Sequence, residues 1–222
     1  MENYQKLLAE HYFNMYSGKE KHDSPDVSRT DICRKIIEII KLQNIPNRNI
    51  LDIGSGPQSL EKELLAFRSK EDKTMLKEFS ITTLDVAFIL KNKNLALKFD
   101  VGHIQADSKF LPFKNNNFGI VISNHSIDFI PNRDRAFQEV LRVMSNKGIV
   151  IFNFHHKDIL NNLPDKSNNV KKYWNYLKEN NLLFDSEAKI NSYLEKFGYK
   201  DINIEEKTDK KDKWWMICAK KY

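Results

Sequence analysis

Residues 50–60 read I-L-D-I-G-S-G-P-Q-S-L and carry the strongest indication of the fold. A short apolar run precedes Gly54 and Gly56, and apolar residues at helical spacing begin at Leu60. Glycines let the backbone turn sharply and approach a ligand closely, and the start of the following helix offers unpaired backbone N–H groups. The segment therefore predicts a strand, a tight turn and a helix that together bind an anionic or polar ligand. Many nucleotide-binding folds share such a loop, so it does not identify the ligand alone.

Strand and helix patterns alternate on both sides of this loop. The predicted strands lie at 49–53, 80–84, 101–106, 118–123, 148–154, 201–205 and 214–219, and the predicted helices at 1–16, 30–42, 59–67, 133–144, 170–180 and 186–197. We expect a turn at 146–148 and a hairpin of the last two strands at a sheet edge. Trp214 and Trp215 are expected in an edge strand, with one of them facing the core and the other the solvent or a partner. The succession predicts a doubly wound α/β sheet that binds ligands at the carboxyl ends of its strands.

The composition is that of a globular chain without membrane segments. The 222 residues carry a net charge of +6, but no basic run is interleaved with aromatic residues, so a nucleic-acid partner is not favoured. No apolar run approaches the ~20 residues of a membrane span, and the N-terminus lacks the apolar core of a signal peptide. We expect a cytoplasmic protein with no membrane partner. Cys33 and Cys218 do not form a metal-type pair and are expected to be buried.

Two further strands are followed by acids at the predicted ligand edge. Asp85 ends the second predicted strand, where a carboxylate can accept hydrogen bonds from both hydroxyls of a ribose. Asp107 follows Ala106 at the end of the third, where it could accept a hydrogen bond from an adenine amino group. Together with the glycine loop after the first strand, they make three acidic or glycine-rich strand ends in succession. This combination indicates a particular type of ligand site much more specifically than any one of the three.

With these features the sequence resembles the class I S-adenosylmethionine (SAM)-dependent methyltransferases, in particular their small-molecule, methyltransferase type 11-like branch. The resemblance covers roughly residues 50 to 154. It rests on I-L-D-I-G-S-G-P, T-L-D-V, Q-A-D-S-K-F-L-P-F, N-N-F-G-I-V-I-S-N and F-Q-E-V-L-R-V-M-S-N-K-G. It implies a Rossmann-like α/β fold: a seven-stranded, mostly parallel sheet with an antiparallel C-terminal hairpin and helices on both faces.

The resemblance also implies one methyltransferase domain over residues 1–222. Within it we expect an N-terminal helical cap at 1–45, a SAM-binding core at 46–156, and substrate-side helices with the C-terminal hairpin at 157–222. The cofactor would be SAM, and the product S-adenosylhomocysteine.

The cofactor-binding residues follow from the same motifs. Asp52 and the glycines would line the methionine end, Asp85 would hold the ribose, and Asp107 with Ser108 would address the adenine. Gln58 stands where the family usually has a third glycine, and it would either contact the cofactor or cap the helix. The full expected set is Asp52, Gly54, Ser55, Gly56, Gln58, Asp85, Val86, Ala106, Asp107, Ser108, Ser123 and Asn124.

The catalytic candidates are His125, Asp128 and His155. Orienting the acceptor can supply about 7–11 kcal/mol, so a strong base is not obligatory, although a protonated O or N acceptor could use one. His125 follows the fourth strand and is either a base or a polar loop residue beneath the cofactor. Asp128 stands where related sequences often have His. No metal site is expected, because the nearby acids do not form a recognisable ligand set.

The acceptor is expected to be a small molecule or a peptide. Its candidate contacts are Tyr12, Tyr16, His156, Tyr173 and Trp174. For Tyr173 and Trp174, the alternative role is ordinary helix packing. Strand alternation predicts that His155 and His156 point to opposite faces. The oligomeric state is not predicted.

Two other functions fit parts of the pattern. A nicotinamide-dependent oxidoreductase also needs a glycine loop and a ribose acid, but its pyrophosphate loop requires a glycine where this chain has Ser59. A methyltransferase-like module that binds SAM without catalysis would keep the same cofactor residues.

Overall fold

The computed structural model describes residues 27–56, 59–66, 76–86, 101–130, 132–158, 175, 177–180, 182–209 and 213–222. Several predictions fall outside these residues: the helix at 1–16, most of the helix at 170–180, and the candidate site residues Tyr12, Tyr16, Gln58, Tyr173 and Trp174.

The described part of the chain alternates between helices and strands as its apolar periodicity predicts. The helices are α1 (Val27–Leu42), α2 (Ser59–Ala66), α3 (Arg133–Val143) and α4 (Glu187–Phe197). The strands are β1 (Asn49–Ile53), β2 (Ser80–Asp85), β3 (Val101–Gln105), β4 (Phe118–Asn124), β5 (Met144–His155), β6 (Lys200–Thr208) and β7 (Lys213–Lys220). A 3₁₀ turn, Ile127–Phe129, follows β4. No helix in the described ranges is long and apolar enough to cross a membrane.

The strands form one seven-stranded sheet in the order β3-β2-β1-β4-β5-β7-β6. Strands β1 to β5 pair in parallel, whereas β7 runs antiparallel to both β5 and β6. The predicted mostly parallel sheet with an antiparallel C-terminal hairpin is therefore confirmed. The strand order reverses between β1 and β4, and in such sheets ligands bind at that point, outside the carboxyl ends of the strands.

Each face of the sheet is covered by a different kind of core. Aromatic residues dominate the face under α3 and α4, where Phe137, Phe152, Phe154 and Tyr199 are buried together. Isoleucines dominate the face under α1 and α2. Successive residues of a strand point to opposite faces, so β1 contributes Leu51 and Ile53 to the first core and Ile50 to the second. The predicted helices on both faces are confirmed.

Two local predictions are wrong. The turn expected at 146–148 lies inside β5, where Lys147 adopts a left-handed backbone (φ 64°) and the pairing with β4 shifts register between Phe118 and Ile120. A bulge of this kind absorbs extra residues without ending the strand. The hairpin places β6, not β7, at the sheet edge, so Trp214 and Trp215 are both buried, at 3% and 5% exposure.

Candidate active site

The glycine loop is fixed by the ends of two neighbouring strands. The N–H groups of Gly54 and Ser55 donate to the carbonyl of Leu84 at the end of β2, at 2.7 and 3.2 Å. Gly54 has a positive φ of 73°, and a Cβ at this position would lie 2.1 Å from the hydroxyl oxygen of Ser126. Ser126 in turn donates to the carbonyl of Ile53 at 2.7 Å. Glycine is therefore required at position 54 both by the backbone conformation and by the close approach of the loop after β4.

Asp85 connects the glycine loop to the end of β3. One of its carboxylate oxygens, Oδ2, accepts a hydrogen bond from the N–H of Gly56 at 2.9 Å, and its carbonyl accepts one from the N–H of Ala106 at 3.1 Å. The expected ribose acid, the second glycine and the expected adenine edge therefore lie together. Val86, which follows Asp85, is exposed on one side of this edge.

Asp107 and Ser108 form the next turn. Asp107 accepts a hydrogen bond from the N–H of Lys109 at 2.9 Å, and its other oxygen lies 3.4 Å from the ammonium of the same lysine. Ser108 is buried beside it. The turn holds the Asp107 carboxylate at the outer end of the same edge.

Buried polar atoms beside the glycine loop fit a polar cofactor. Within the described residues, Oδ1 of Asp52 and the hydroxyl of Ser55 are buried and have no hydrogen-bond partner. Unpaired buried polar atoms are costly, so a ligand that pairs with them is stabilised there. Together with the glycine required at position 54, these atoms fit a ligand that packs against the loop and donates hydrogen bonds.

Asp128, His155 and His125 form a compact cluster beyond the glycine loop. Oδ2 of Asp128 accepts hydrogen bonds from the backbone N–H of His155 at 2.9 Å and from its ring Nδ1 at 2.7 Å. The rings of His125 and His155 have centroids 4.3 Å apart, and the candidate ligand atoms of all three residues lie within 4.8 Å of one another. The structure thus brings together all three residues that the sequence proposed for catalysis.

Asp128 is a buried but ionised carboxylate. Burial is the largest single influence and opposes its ionisation. The charge and hydrogen bonds of His155, together with the charge of His125, outweigh burial and hold the pKa of Asp128 below its usual value. Since a carboxylate can only accept hydrogen bonds, Nδ1 of His155 is the donor in this contact, and in the neutral tautomer that the contact selects Nε2 has the lone pair.

His125 occupies an unusual backbone conformation. Its φ is 49°, in the left-handed region that few residues other than glycine adopt, and its N–H donates to the carbonyl of Asn153 at 3.1 Å. Strained residues of this kind cluster at active sites, where the surrounding structure holds them in place.

A network of amides ties the start of α1 to the ends of β4 and β5. Oδ1 of Asn124 accepts hydrogen bonds from Nδ2 of Asn153 at 3.0 Å and from the hydroxyl of Ser28 at 3.4 Å. The hydroxyl of Ser123 instead lies 2.7 Å from that of Ser126 and accepts from the N–H of Ile127. Ser123 therefore stabilises the turn that carries Asp128, and Asn124 is held at the crevice.

The remaining candidate, His156, lies on the other face of the sheet from the cluster. Its ring packs on Trp215 with centroids 5.1 Å apart, and its Nδ1 accepts from the N–H of Asp158. His155 and His156 therefore separate as strand alternation predicts, and the structure does not bring His156 to the cluster.

Several residues of the site did not stand out in the sequence as candidates. Glu61 contacts Asp52, Ser126 contacts the glycine loop, and the Trp214 ring lies edge-on to His125 at 6.4 Å. An acid in the first turn of a helix commonly interacts favourably with the helix dipole, so the sequence gave no indication that Glu61 belongs to the site. Trp214 is recognisable only through its register opposite His155.

Known proteins that are similar to this chain include several methyltransferases. The model of the methyltransferase domain family matches residues 51–152. The ubiquinone/menaquinone biosynthesis C-methyltransferase UbiE of Haemophilus ducreyi is 19% identical over 171 residues, which are 70% of this chain and 66% of that protein. The malonyl-[acyl-carrier protein] O-methyltransferase of Legionella pneumophila is 27% identical over 127 residues, which are 55% of this chain and 41% of that protein. The matched parts thus span between about two fifths and two thirds of these two relatives.

Over residues 51–152, slightly less than half of its length, this chain matches the methyltransferase domain family, and it is similar to class I SAM-dependent methyltransferases. Among solved structures, the 1,6-didemethyltoxoflavin-N1-methyltransferase of Burkholderia thailandensis, with S-adenosylhomocysteine bound, has a TM-score of 0.74 at 10% identity and covers 99% of this chain and 89% of its own. A putative methyltransferase of Methanococcus maripaludis has a TM-score of 0.62 at 22% identity and covers 96% and 94%. Because both sequence identities are low, the similarity to these two structures supports the fold alone.

These similarities confirm three predictions made from the sequence. The methyltransferase is an enzyme of the transferase class, its fold is Rossmann-like, and its cofactor is SAM. The relatives differ in the atom that they methylate, since one is named a C-methyltransferase and another an O-methyltransferase.

Proposed function

We propose that this methyltransferase transfers the methyl group of SAM to an O or N atom of a small-molecule or peptide acceptor that carries a proton. The observation that supports this most directly is the hydrogen bond of 2.7 Å between Asp128 and Nδ1 of His155. When bound, SAM supplies a methyl group on a sulfonium, which is a good leaving group. Asp52, Ser55 and the loop glycines would hold its methionine end, Asp85 its ribose, and Asp107 with Ser108 its adenine.

His155 acts in this proposal as the general base. Asp128 fixes the ring through the backbone and the side chain of the same histidine, so that Nε2 is the ring nitrogen that would accept the proton of the acceptor. The positive charge that forms on the ring is stabilised by the buried carboxylate. Proton transfer to a positioned base contributes about 10²- to 10⁴-fold to a rate, which adds to the larger contribution of orientation.

His125 and Trp214 would complete the acceptor side. His125 is held in its left-handed conformation beside His155. Within the described residues, the buried indole N–H of Trp214 has no hydrogen-bond partner, so it is suited to donate to an oxygen of the acceptor. An acceptor with an acidic C–H group, as the name of the UbiE relatives suggests, would use the same base and is the second candidate.

An acceptor screen with labelled SAM tests the proposal. The purified chain is incubated with phenols, amines, carboxylic acids and 1,3-dicarbonyl compounds, and S-adenosylhomocysteine is quantified by mass spectrometry. Methylation at O or N of at least one class, with a rate that depends on His155, is the expected result. Methylation only at carbon would replace the proposed acceptor atom with the second candidate. Tight SAM binding without turnover on every class would favour a non-catalytic SAM-binding module.

Two predictions of the sequence remain proposals. We expect the residues described here to work within one domain over 1–222, with the cap, core and substrate-side regions given above. We also expect a cytoplasmic location.

A further inference from the structure

Two carboxyl groups are buried against each other behind the glycine loop. Asp52 at the end of β1 and Glu61 in the first turn of α2 are each 2% exposed, and their side chains are hydrogen-bonded to one another. Two ionised carboxylates can only accept hydrogen bonds, so this contact requires a proton between them. A single proton shared by the two carboxyl groups would satisfy this requirement.

Each member of the pair also keeps one oxygen unsatisfied. Oδ1 of Asp52 and Oε2 of Glu61 are buried and have no hydrogen-bond partner among the described residues. Asp52 lies only two residues before Gly54, so its unpaired oxygen lies close to the loop that packs against the cofactor. A cationic donor at the loop would satisfy this oxygen and favour the ionised form of the pair.

The titratable groups near the pair support the assignment of the proton to Asp52 and Glu61. The titratable groups that interact with the pair are Asp85 from β2 and Cys33 from α1, and Arg29 from α1 and Glu63 from α2 lie next to Cys33. Glu63 is ion-paired with Arg29, and Asp85 accepts the N–H of Gly56, so both carboxyl groups already have a partner in the protein. Burial, more than the nearby acids, raises the pKa of the Cys33 thiol, which keeps it neutral.

Burial also raises the pKa of both members of the pair, and the charges of Glu61 and Asp85 raise that of Asp52 further. The protonated form is thus favoured in the cofactor-free protein. SAM carries a sulfonium and an ammonium, whereas S-adenosylhomocysteine has lost the sulfonium charge. The cofactor thus presents one more positive charge than the product to the acids at the loop.

We propose that Asp52 and Glu61 share one proton in the cofactor-free protein and release it when SAM binds, and that Glu61 thereby sets the preference for the cationic cofactor over its neutral product. The proposal rests on the identity of the cofactor and is independent of the acceptor and of His155. Because the ionised pair attracts the cation, the affinity for SAM rises with pH until the pair is ionised in the free protein. Affinity for S-adenosylhomocysteine changes less, since that ligand lacks the sulfonium charge.

Isothermal titration calorimetry of the full chain tests this without any acceptor. SAM and S-adenosylhomocysteine are each titrated at several pH values on both sides of neutrality. At each pH two buffers with different ionisation enthalpies are compared, such as phosphate and Tris near neutrality. The wild type should release a proton on binding SAM and a smaller fraction on binding S-adenosylhomocysteine. Equal binding enthalpies in the two buffers at every pH would overturn the proposal.

Glu61→Gln and Glu63→Gln form a matched pair on the same helix. Glu61→Gln should abolish proton release and lower the ratio of SAM to S-adenosylhomocysteine affinity by about tenfold, the factor that corresponds to one pKa unit. Glu63→Gln should keep the proton release of the wild type. Undiminished release in Glu61→Gln contradicts the assignment of the proton to this pair.

Difference infrared spectroscopy gives a second measurement that does not depend on a variant. The C=O stretch of a protonated carboxylic acid should disappear from the wild-type spectrum when SAM is added, and its persistence would contradict the proposal. SAM binding without proton release would refute the role of the pair and leave the methyl-transfer proposal intact. Absence of SAM binding in every buffer would contradict both.

Discussion

Adjacent residues of β5 and β7 point to opposite faces of the sheet. The two faces differ in how completely their buried polar atoms are hydrogen-bonded within the protein. On one face, Asn153 and Trp214 bury polar atoms that have no hydrogen-bond partner within the described residues, beside the Asp128–His155 pair. On the other face, the indole N–H of Trp215 donates to the carbonyl of Phe184 at 3.3 Å, and His156 accepts from the N–H of Asp158.

This difference indicates which face binds a ligand and which face stabilises the fold. A structural core pairs its buried polar atoms within the protein, because each unpaired one costs free energy. Unpaired atoms concentrated at the carboxyl ends of the strands are the arrangement expected where a ligand completes the hydrogen bonds. We therefore expect substitutions on the first face to affect catalysis and those on the second to affect stability.

Asp128→Asn should produce the largest effect on activity. Asparagine can donate to Nδ1 of His155 and stabilise the wrong tautomer, so methyl transfer to an acceptor found by the screen should fall by about 10²- to 10⁴-fold. The rate of S-adenosylhomocysteine formation measures this loss, and calorimetry should show that SAM still binds. His156→Gln, on the other face, should keep a rate close to that of the wild type. Equal rates in Asp128→Asn and the wild type would remove the dyad from the mechanism.

Phe137→Ala should produce the largest effect on stability. The Phe137 ring is fully buried among Phe152, Phe154 and Tyr199, and its removal leaves a cavity. The free energy of unfolding in urea should fall by about 3–5 kcal/mol. The affinity of the remaining folded protein for SAM should be unchanged, because the ring packs on the face away from His155. A loss of SAM affinity in the folded variant would show that the two faces are coupled.

Trp214→Phe and Trp215→Phe compare the same chemical change on the two faces. Trp215→Phe removes one of the two hydrogen bonds that the carbonyl of Phe184 accepts, the other coming from the N–H of Lys157. It should therefore cost about 1 kcal/mol more in the free energy of unfolding than Trp214→Phe. Trp214→Phe should instead weaken acceptor binding, seen as a higher KM. Urea unfolding and steady-state kinetics of both variants provide the comparison, and identical stabilities would argue against the difference between the faces.

A chelator should produce the smallest effect. His125, Asp128 and His155 offer atom types that transition metals bind, yet Oδ2 of Asp128 already accepts two hydrogen bonds from His155. We expect EDTA to leave the rate of methyl transfer unchanged, in keeping with the prediction of no metal site. Loss of activity that returns on adding a divalent ion would instead assign the cluster to a metal.

The sequence by itself determined the succession of strands and helices and the cofactor edge. These features depend on local patterns: apolar runs give the strands, glycine permits the turn at Gly54, and Asp85 and Asp107 stand where strands end. The family resemblance supplied the seven-stranded sheet. The bulge at Lys147 was missed because Asn-Lys-Gly is equally suited to a turn, and only pairing with β4 shows that the strand continues.

Only the tertiary structure decided how distant side chains meet. His125, Asp128 and His155 were each visible at the rim, but their distances depend on the register of β4 against β5 and on the turn capped by Ser123. Three further features arise from contacts between separate elements: the contact of Asp52 with Glu61, the packing of Ser126 against Gly54, and the indole N–H of Trp214, which has no partner within the described residues. Burial and register are properties of the packed sheet, and no local pattern in the chain encodes which polar atom is left without a partner.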